Sequence, residues 1–145
     1  MATEPGGKVE VAVGLIQRDN ELLLVYSRNW AMFTLPMSKR RKWAFVLEDV
    51  EEPWIDGAAR AIAECLGRTS VPEFLLDVQR QQMSDREGTM HVYHFGVFRQ
   101  RVSGDPTLVP GVVAEWVPFE KIRHQRPVSQ TAIAIVDALR EKSLL

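Results

Sequence analysis

The charged side chains best placed for chemistry recur every fourth residue within the segment Trp54–Leu66. Asp56, Arg60 and Glu64 are each four positions apart, so on a helix they line one polar stripe. Carboxylate oxygens suit hard divalent cations, which makes Glu64 a candidate metal ligand. The alternative is an ion pair between Arg60 and Glu64 on a solvated helix face, worth only about 0.3–0.5 kcal/mol. The stripe therefore indicates either a cation site or an ordinary charged surface.

The densest basic run in the chain is Lys39, Arg40, Arg41 and Lys42, and Trp43 follows it directly. Adjacent cations beside an aromatic ring can hold phosphates or stack on a base. The run also fits a solvated loop, because long charged side chains are mostly exposed. On the residues alone both interpretations stay open, and the segment is a candidate for contact with a phosphate-bearing ligand.

Other reactive side chains are weaker candidates. Cys65 is predicted to be a packed thiol, because it lies near a helix C-terminus, where the dipole disfavours a thiolate, and among apolar residues. An odd separation places His91 and His94 on opposite faces of a strand, so they are poor co-ligands. Four acidic residues behind the basic run could form a cation site or an acidic surface turn: Glu48, Asp49, Glu51 and Glu52.

Apolar periodicity predicts the elements that position these groups in the first half of the chain. Alternation from Val9 to Leu15 predicts a strand, and ELLLVYS predicts a second one, joined through the turn residues QRDN. Apolar residues then recur at helical spacing over Trp54–Leu66. Pro53 suits the first turn of this helix and Gly67 its C-terminal stop.

The second half repeats the arrangement. EFLLDVQRQQM and TMHVYHFGVFRQRV predict two strands joined by SDREG, and VVAEWVPF predicts one more. A closing amphipathic helix is predicted from Pro127 to about Arg140. The order β-β-β, helix, β-β-β, helix predicts a mixed α/β or α+β sandwich whose helices cover a sheet.

Length and composition limit the function classes. The 145 residues, 46% of them hydrophobic, fit a single domain spanning residues 1–145. A net charge of −1 gives no global field for nucleic acid or an anionic membrane. No run reaches the roughly 20 apolar residues needed to span a bilayer. The single cysteine excludes an internal disulfide and suits a reducing compartment, so a cytoplasmic protein is expected.

The central segment resembles the Nudix family, whose signature is G-x5-E-x7-R-E-U-x-E-E-x-G-U, with U a bulky apolar residue. Glu52 matches the first glutamate and Arg60 lies eight residues later, as the signature asks. Glu64 and Gly67 also fall on their positions. TLPMSK resembles the TLPGGK that usually opens the box, and AEWVPFEKI resembles the late strand of the family. The resemblance implies a Nudix-like α/β/α sandwich with a mixed sheet, a Nudix-type helix and a C-terminal helix.

The departures from the signature concern the metal site. Ala61 stands where the family has the glutamate of its R-E pair, and Cys65 stands where it has the second glutamate of its E-E pair. The segment from Pro36 to Glu52 is about eight residues longer than in the usual box, and Arg68 occupies its final apolar position. Alanine offers no ligand, and cysteine is a soft ligand poorly matched to magnesium.

The resemblance implies cleavage of a nucleoside diphosphate linked to another moiety, with Mg²⁺ or Mn²⁺ as cofactor. The departures favour a non-catalytic or weakly active binder of a nucleotide, another phosphate-bearing small molecule or a protein partner. One alternative is a rewired pyrophosphohydrolase, in which Glu64 and Glu52 hold the metal and Glu48, Glu51 or Glu87 serves as base. Another is a pure interaction module. By resemblance, Glu52 and Arg60 pair and brace the loop against the helix, and the remnant catalytic residues are Glu52, Arg60 and Glu64.

Overall fold

A computed structural model describes residues 6–83 and 88–145 of the chain. In chain order the elements are β1 (Gly6–Arg18), β2 (Glu21–Ser27), β3 (Met32–Thr34), β4 (Met37–Lys39), β5 (Lys42–Ala44), β6 (Asp49–Glu51), α1 (Trp54–Leu66), β7 (Glu73–Met83), β8 (Met90–Arg101), β9 (Ala114–Pro118), a 3-10 helix (Phe119–His124) and α2 (Gln130–Glu141). The predicted first helix and the predicted strand pairs β1–β2 and β7–β8 are confirmed.

The main sheet is mixed and centres on β1. Its strand order is β3-β2-β1-β8-β7, with β4 pairing with β1 and β9 pairing with β2. The long β1–β8 ladder is parallel, whereas the other named pairings in the sheet are antiparallel. The strand that was predicted from alternating apolar residues, β1, is therefore a central strand of the sheet and not an edge strand.

Both faces of the sheet are covered, which confirms the predicted α/β/α sandwich. Along β1, Val13 and Leu15 belong to the core cluster that includes Ile135 of α2, while Ile16 packs with Ile62 of α1 on the other face. A Cβ atom added at Gly14 would lie 2.6 Å from Cγ1 of Ile62, so glycine is what lets α1 approach the sheet this closely.

One predicted boundary and two other features differ from the structure. The closing helix begins at Gln130 rather than Pro127, because the Ser129 hydroxyl accepts a hydrogen bond from the amide of Ala132 and caps the helix. The basic run is not a simple loop, since it spans the end of β4 and the start of β5. The 3-10 helix after β9 was also not predicted.

The additional residues before α1 form a separate two-stranded hairpin, β5–β6. Trp43 lies opposite Val50 in its register, and the amide of Phe45 donates to the carbonyl of Glu48 to close the turn. Three apolar side chains at its tip are 60–101% exposed: Phe45, Val46 and Leu47. Within the described ranges, no helix is long and apolar enough to cross a bilayer.

Candidate functional site

Arg60 and Glu52 form a buried clamp between α1 and the segment before it. The Glu52 carboxylate is only 7% exposed, and it accepts hydrogen bonds from Nη1 of Arg60 and from the Arg41 amide at 3.1 Å. The Arg60 guanidinium also donates to Oγ of Ser38 at 2.8 Å and to the Lys39 carbonyl at 2.9 Å. The bracing role expected for this pair is therefore present, and both Glu52 oxygens are already engaged.

The positions on α1 that lack carboxylates are buried. Ala61 is 2% exposed and Cys65 is 5% exposed, whereas Glu64 is exposed to solvent. Across residues 6–83 and 88–145, no group of three or more His, Cys, Asp or Glu side chains could hold a metal ion. The described side chains therefore offer magnesium no cluster of carboxylates, and of the three signature positions on α1 only Glu64 carries one.

Glu64 does not pair with Arg60, which corrects the alternative of an ion pair along the helix. Arg60 points to Glu52 and Ser38 instead, and the Glu64 side chain makes no hydrogen bond or ion pair in the described part of the chain. The buried carboxylate competes better for the guanidinium, since a charge removed from water must be neutralised. Glu87, a candidate base, lies outside the described residues.

Cys65 sits in an apolar cluster with Ile16, Leu23 and Ile62. Burial raises the pKa of its thiol from 9.0 to about 11, and the negative charge of Glu64 adds to the increase. The predicted packed thiol is confirmed, because a neutral thiol in this cluster is neither a nucleophile nor a ligand for a hard cation.

Thiol labelling tests this environment. At pH 8 the folded chain should react with a disulfide reagent about 100-fold more slowly than the denatured chain, because a pKa of about 11 instead of 9.0 lowers the thiolate population by that factor. The folded pKa is the raised one, so the stability contributed by the neutral thiol is complete below pH 9 and is lost as pH rises toward 11. Equal labelling rates in the two states would show that Cys65 is exposed.

Two of the four cations in the basic run hold the structure together. The Arg40 guanidinium lies 5.0 Å above the Trp54 ring, donates to the Glu52 carbonyl at 2.6 Å and pairs with Glu10 at 3.2 Å and Glu51 at 3.0 Å. The Lys42 ammonium lies 2.6 Å from Glu10, and this hydrogen bond is the largest factor that lowers the pKa of the Glu10 carboxyl. Glu51 is thus an anchor as well.

The rest of the basic run is open to solvent. Lys39 and Arg41 are exposed, Trp43 is 44% exposed, and neither cation has a side-chain partner among the described residues. Glu48 and Asp49 are also exposed, beside the hairpin turn. These side chains could contact a ligand without breaking an existing interaction.

Sequence reasoning missed two polar residues that organise the site. Ser38 receives Arg60, and Glu10 receives both Arg40 and Lys42. The sequence did contain a signal for Glu10. It lies on the same face of β1 as Ala12 and Gly14, and a carboxylate on a covered face of a sheet needs a cation as its partner. The identity of its partners, about thirty residues away in the chain, required the fold.

Comparison with solved structures shows that the chain has the Nudix fold. The MutT protein from Methanosarcina mazei Go1 is 22% identical, with 98% of this chain and 99% of that chain covered and a TM-score of 0.71. A MutT NUDIX hydrolase from Burkholderia pseudomallei is 18% identical over 90% and 96% of the two chains, with a TM-score of 0.63. The NUDIX domain of Shewanella oneidensis NrtR, solved with ADP ribose, is 16% identical over 93% and 88%, with a TM-score of 0.62.

Comparisons by sequence give no further relatives. No protein-family model matches the chain, and no curated protein matches it. The resemblance of the Nudix signature therefore rests on the residues named above and on the shared fold.

Proposed function

We propose that this Nudix-fold chain is a non-catalytic or weakly active binder of a nucleotide or another phosphate-bearing small molecule, or of a protein partner. The observation that carries the proposal is the loss of the carboxylate set on α1. Ala61 is buried, Cys65 is buried in an apolar cluster, and the Glu52 carboxylate is engaged by Arg60 and Arg41. A divalent cation would have one carboxylate of this set, Glu64, available to it.

The ligand contacts are proposed for the exposed part of the basic run. Lys39 and Arg41 supply two uncommitted positive charges, and the half-exposed Trp43 ring offers a face for stacking. The ADP ribose bound to the NrtR domain is a precedent for a phosphate-bearing ligand on this fold. Arg40 and Lys42 contribute indirectly, by fixing the segment to Glu10 and Glu51.

Two observations each favour a different function. Glu64 is exposed and unpaired in the described part of the chain, so a weak Mg²⁺- or Mn²⁺-dependent pyrophosphohydrolase remains the second candidate, with the metal held by Glu64 and by substrate phosphates. The apolar hairpin tip favours a protein-interaction module, because exposed clusters of large apolar side chains commonly mark interaction sites.

Hydrolysis assays separate these functions. With Mg²⁺ or Mn²⁺, the chain should turn over nucleoside triphosphates, ADP-ribose and dinucleoside polyphosphates at least about 1,000-fold below an ordinary enzyme median of ~10 s⁻¹. Its residual rate should be the same in Glu64→Gln. Turnover near that median, abolished by Glu64→Gln, would establish the enzyme instead.

Ligand binding is measured on the same variants by thermal shift, with and without divalent cation, because a ligand of the native state raises the melting temperature. An increase that needs no cation supports the binder. An increase seen only with Mg²⁺ or Mn²⁺, and lost in Glu64→Gln, supports the metal-dependent alternative.

A further inference from the structure

The hairpin β5–β6 presents a continuous apolar surface to solvent. Phe45 follows Trp43 by two residues, so both side chains lie on one face of the hairpin, and Val50 lies opposite Trp43 on that face. Val46 and Leu47 stand at the turn and are 101% and 96% exposed, so no described part of the chain covers them. Together with Phe45 they expose roughly 400 Å², which is as much as the largest apolar patch of a typical monomer. A patch of this size marks an interaction site.

Charge is distributed unevenly along the hairpin. Glu48 and Asp49 follow the apolar tip, both are exposed, and neither carboxylate has an ion-pair partner within the described ranges. At the base, Lys39 and Arg41 are exposed cations whose side chains have no partner among the described residues. The four-residue step from Arg41 to Phe45 along an extended strand is about 13 Å long. The hairpin is therefore acidic at its tip and basic at its base.

An apolar slot lies between α1 and the chain that follows this helix. Its volume is about 360 Å³, and pockets from about 300 Å³ upward hold drug-sized molecules, so the slot has room for the side chains of a tight turn. Val71 on its wall is 85% exposed, which leaves this apolar surface uncovered as well. The lining residues are Ile55, Asp56, Ala59, Thr69, Ser70, Val71 and Pro72.

The two ends of this α1 slot carry opposite charges. Asp56 lies in the first turn of α1, and helix α1 rises about 15 Å from there to Leu66. Arg68 directly precedes Thr69 of the slot wall, is exposed and has no ion-pair partner in the described part of the chain. The acidic tip and basic base of the hairpin therefore match the basic and acidic ends of the slot, over a similar length.

We propose that the hairpin tip of one copy of this chain docks in the α1 slot of a second copy, with residues 45–47 against the apolar wall and the carboxylates of Glu48 and Asp49 beside Arg68. The chain carries both complementary surfaces, as docking between identical copies requires. The two carboxylates oppose insertion of the tip into an anionic membrane, because its surface potential repels them. The proposal rests on the interaction role given above to the hairpin tip, and it names the partner.

The size of the contact predicts a weak, reciprocal dimer. One tip supplies about half of the roughly 800 Å² per partner that a stable interface buries. Tip and slot both belong to the N-terminal part of α1, because Arg40 at the hairpin base lies 5.0 Å from the Trp54 ring and the slot begins at Ile55. A two-fold axis beside this part of the helix lets each copy supply one tip and one slot. We expect a dissociation constant on the order of 10–100 μM.

Sedimentation velocity at chain concentrations from about 5 to about 500 μM measures this association. The wild type should pass from monomer to dimer over this range. Leu47→Asp should weaken dimerisation at least about tenfold, because it brings an unpaired charge to the apolar wall. The matched control Val113→Asp puts the same charge at another half-exposed apolar residue and should leave the dissociation constant within about twofold.

Charge reversal tests which surfaces meet. Glu48→Lys/Asp49→Lys should prevent dimerisation by placing cations beside Arg68, and Arg68→Glu should prevent it by placing another carboxylate beside the tip. An equimolar mixture of the two variants should restore the dimer, because the reversed tip meets the reversed slot and the native tip meets the native slot. These side chains are exposed, and circular dichroism reports the fold. The single change Asp49→Lys serves if the double variant unfolds.

A monomer throughout this concentration range, or a dimer unaffected by Leu47→Asp, would overturn the proposal. A mixture of the charge-reversed variants that stays monomeric would overturn it as well. A monomer that co-sediments with phosphatidylserine vesicles, and no longer does so as Leu47→Asp, would assign the tip to a lipid surface instead. Ligand binding is measured separately by thermal shift, at concentrations below the dimer range, so failure of self-docking and failure of the binder function are distinguishable.

Discussion

Glutamate in place of Cys65 will destabilise the folded chain by about 3–4 kcal/mol at pH 7, measured by urea denaturation. The thiol is 5% exposed among Ile16, Leu23 and Ile62, so a carboxylate there loses its hydration. Buried glutamates reach pKa values of roughly 8, against about 4.3 in an unfolded chain, and each unit between 4.3 and 7 contributes about 1.36 kcal/mol. Cys65→Gln is the matched control, with nearly the same size and no charge.

The way in which the folding stability of the Cys65→Glu variant changes with pH shows whether the new carboxylate is buried. Its folded pKa is raised above the unfolded value, so stability is greatest below about pH 4.3 and falls as pH rises toward the folded pKa. The control should show no such loss. A variant as stable as the control at pH 7 would contradict the buried environment.

Metal addition completes the test. Ala61→Glu/Cys65→Glu gives α1 the three carboxylates of the Nudix signature together with Glu64, but two of them replace buried side chains. We expect Mg²⁺ or Mn²⁺ to raise its melting temperature no more than that of Cys65→Gln. A clear rise confined to the double variant would mean that this side of the helix opens onto a cation site after all.

Arg60→Ala will cost about 3–5 kcal/mol of unfolding free energy, because it leaves the buried Glu52 carboxylate with the Arg41 amide as its remaining partner. It also removes the hydrogen bonds to Ser38 and to the Lys39 carbonyl. Chemical denaturation followed by circular dichroism measures the loss.

A double-mutant cycle isolates the ion pair. Adding Glu52→Gln to Arg60→Ala should cost much less than the sum of the single changes, because the uncompensated charge is gone. A loss within about 0.5 kcal/mol for Arg60→Ala, as is usual at surface positions, would show that the clamp contributes little.

The elements that could be predicted are those whose pattern is local. Helix α1 has apolar residues at helical spacing and a glycine stop at Gly67, and its bounds are as predicted. Strands β5 and β6 lack such a pattern because nearly all their side chains are exposed. Apolar and polar residues alternate along a strand only when one of its faces is buried, so the sequence of these two strands gave no alternation from which to predict them. The predicted start of α2 was wrong for a different reason. Pro127 and Ser129 are both possible starting signals, and it is the Ser129 hydroxyl that caps the helix.

The candidate site was predicted by residue type but not by partner. The Glu52–Arg60 pair follows from the signature, and the structure contains it. Charge alone could not distinguish Arg40 and Lys42, which are anchored on Glu10, from Lys39 and Arg41, which are free within the described residues, because Glu10 lies on a distant strand. Nor could composition reveal that a backbone amide engages the second Glu52 oxygen.

The base of the β5–β6 hairpin makes this segment a natural place for evolutionary change in chain length. The amide of Glu52 donates to the Arg41 carbonyl at 2.9 Å, and the Arg41 amide donates back to the Glu52 side chain, so the chain leaves and rejoins the domain at one hydrogen-bonded point. Doubling the length of a flexible loop costs only about 0.6 kcal/mol. Insertions and deletions at the hairpin tip, residues 45–48, can therefore accumulate in a lineage without disturbing the clamp or the anchors at Lys42 and Glu51.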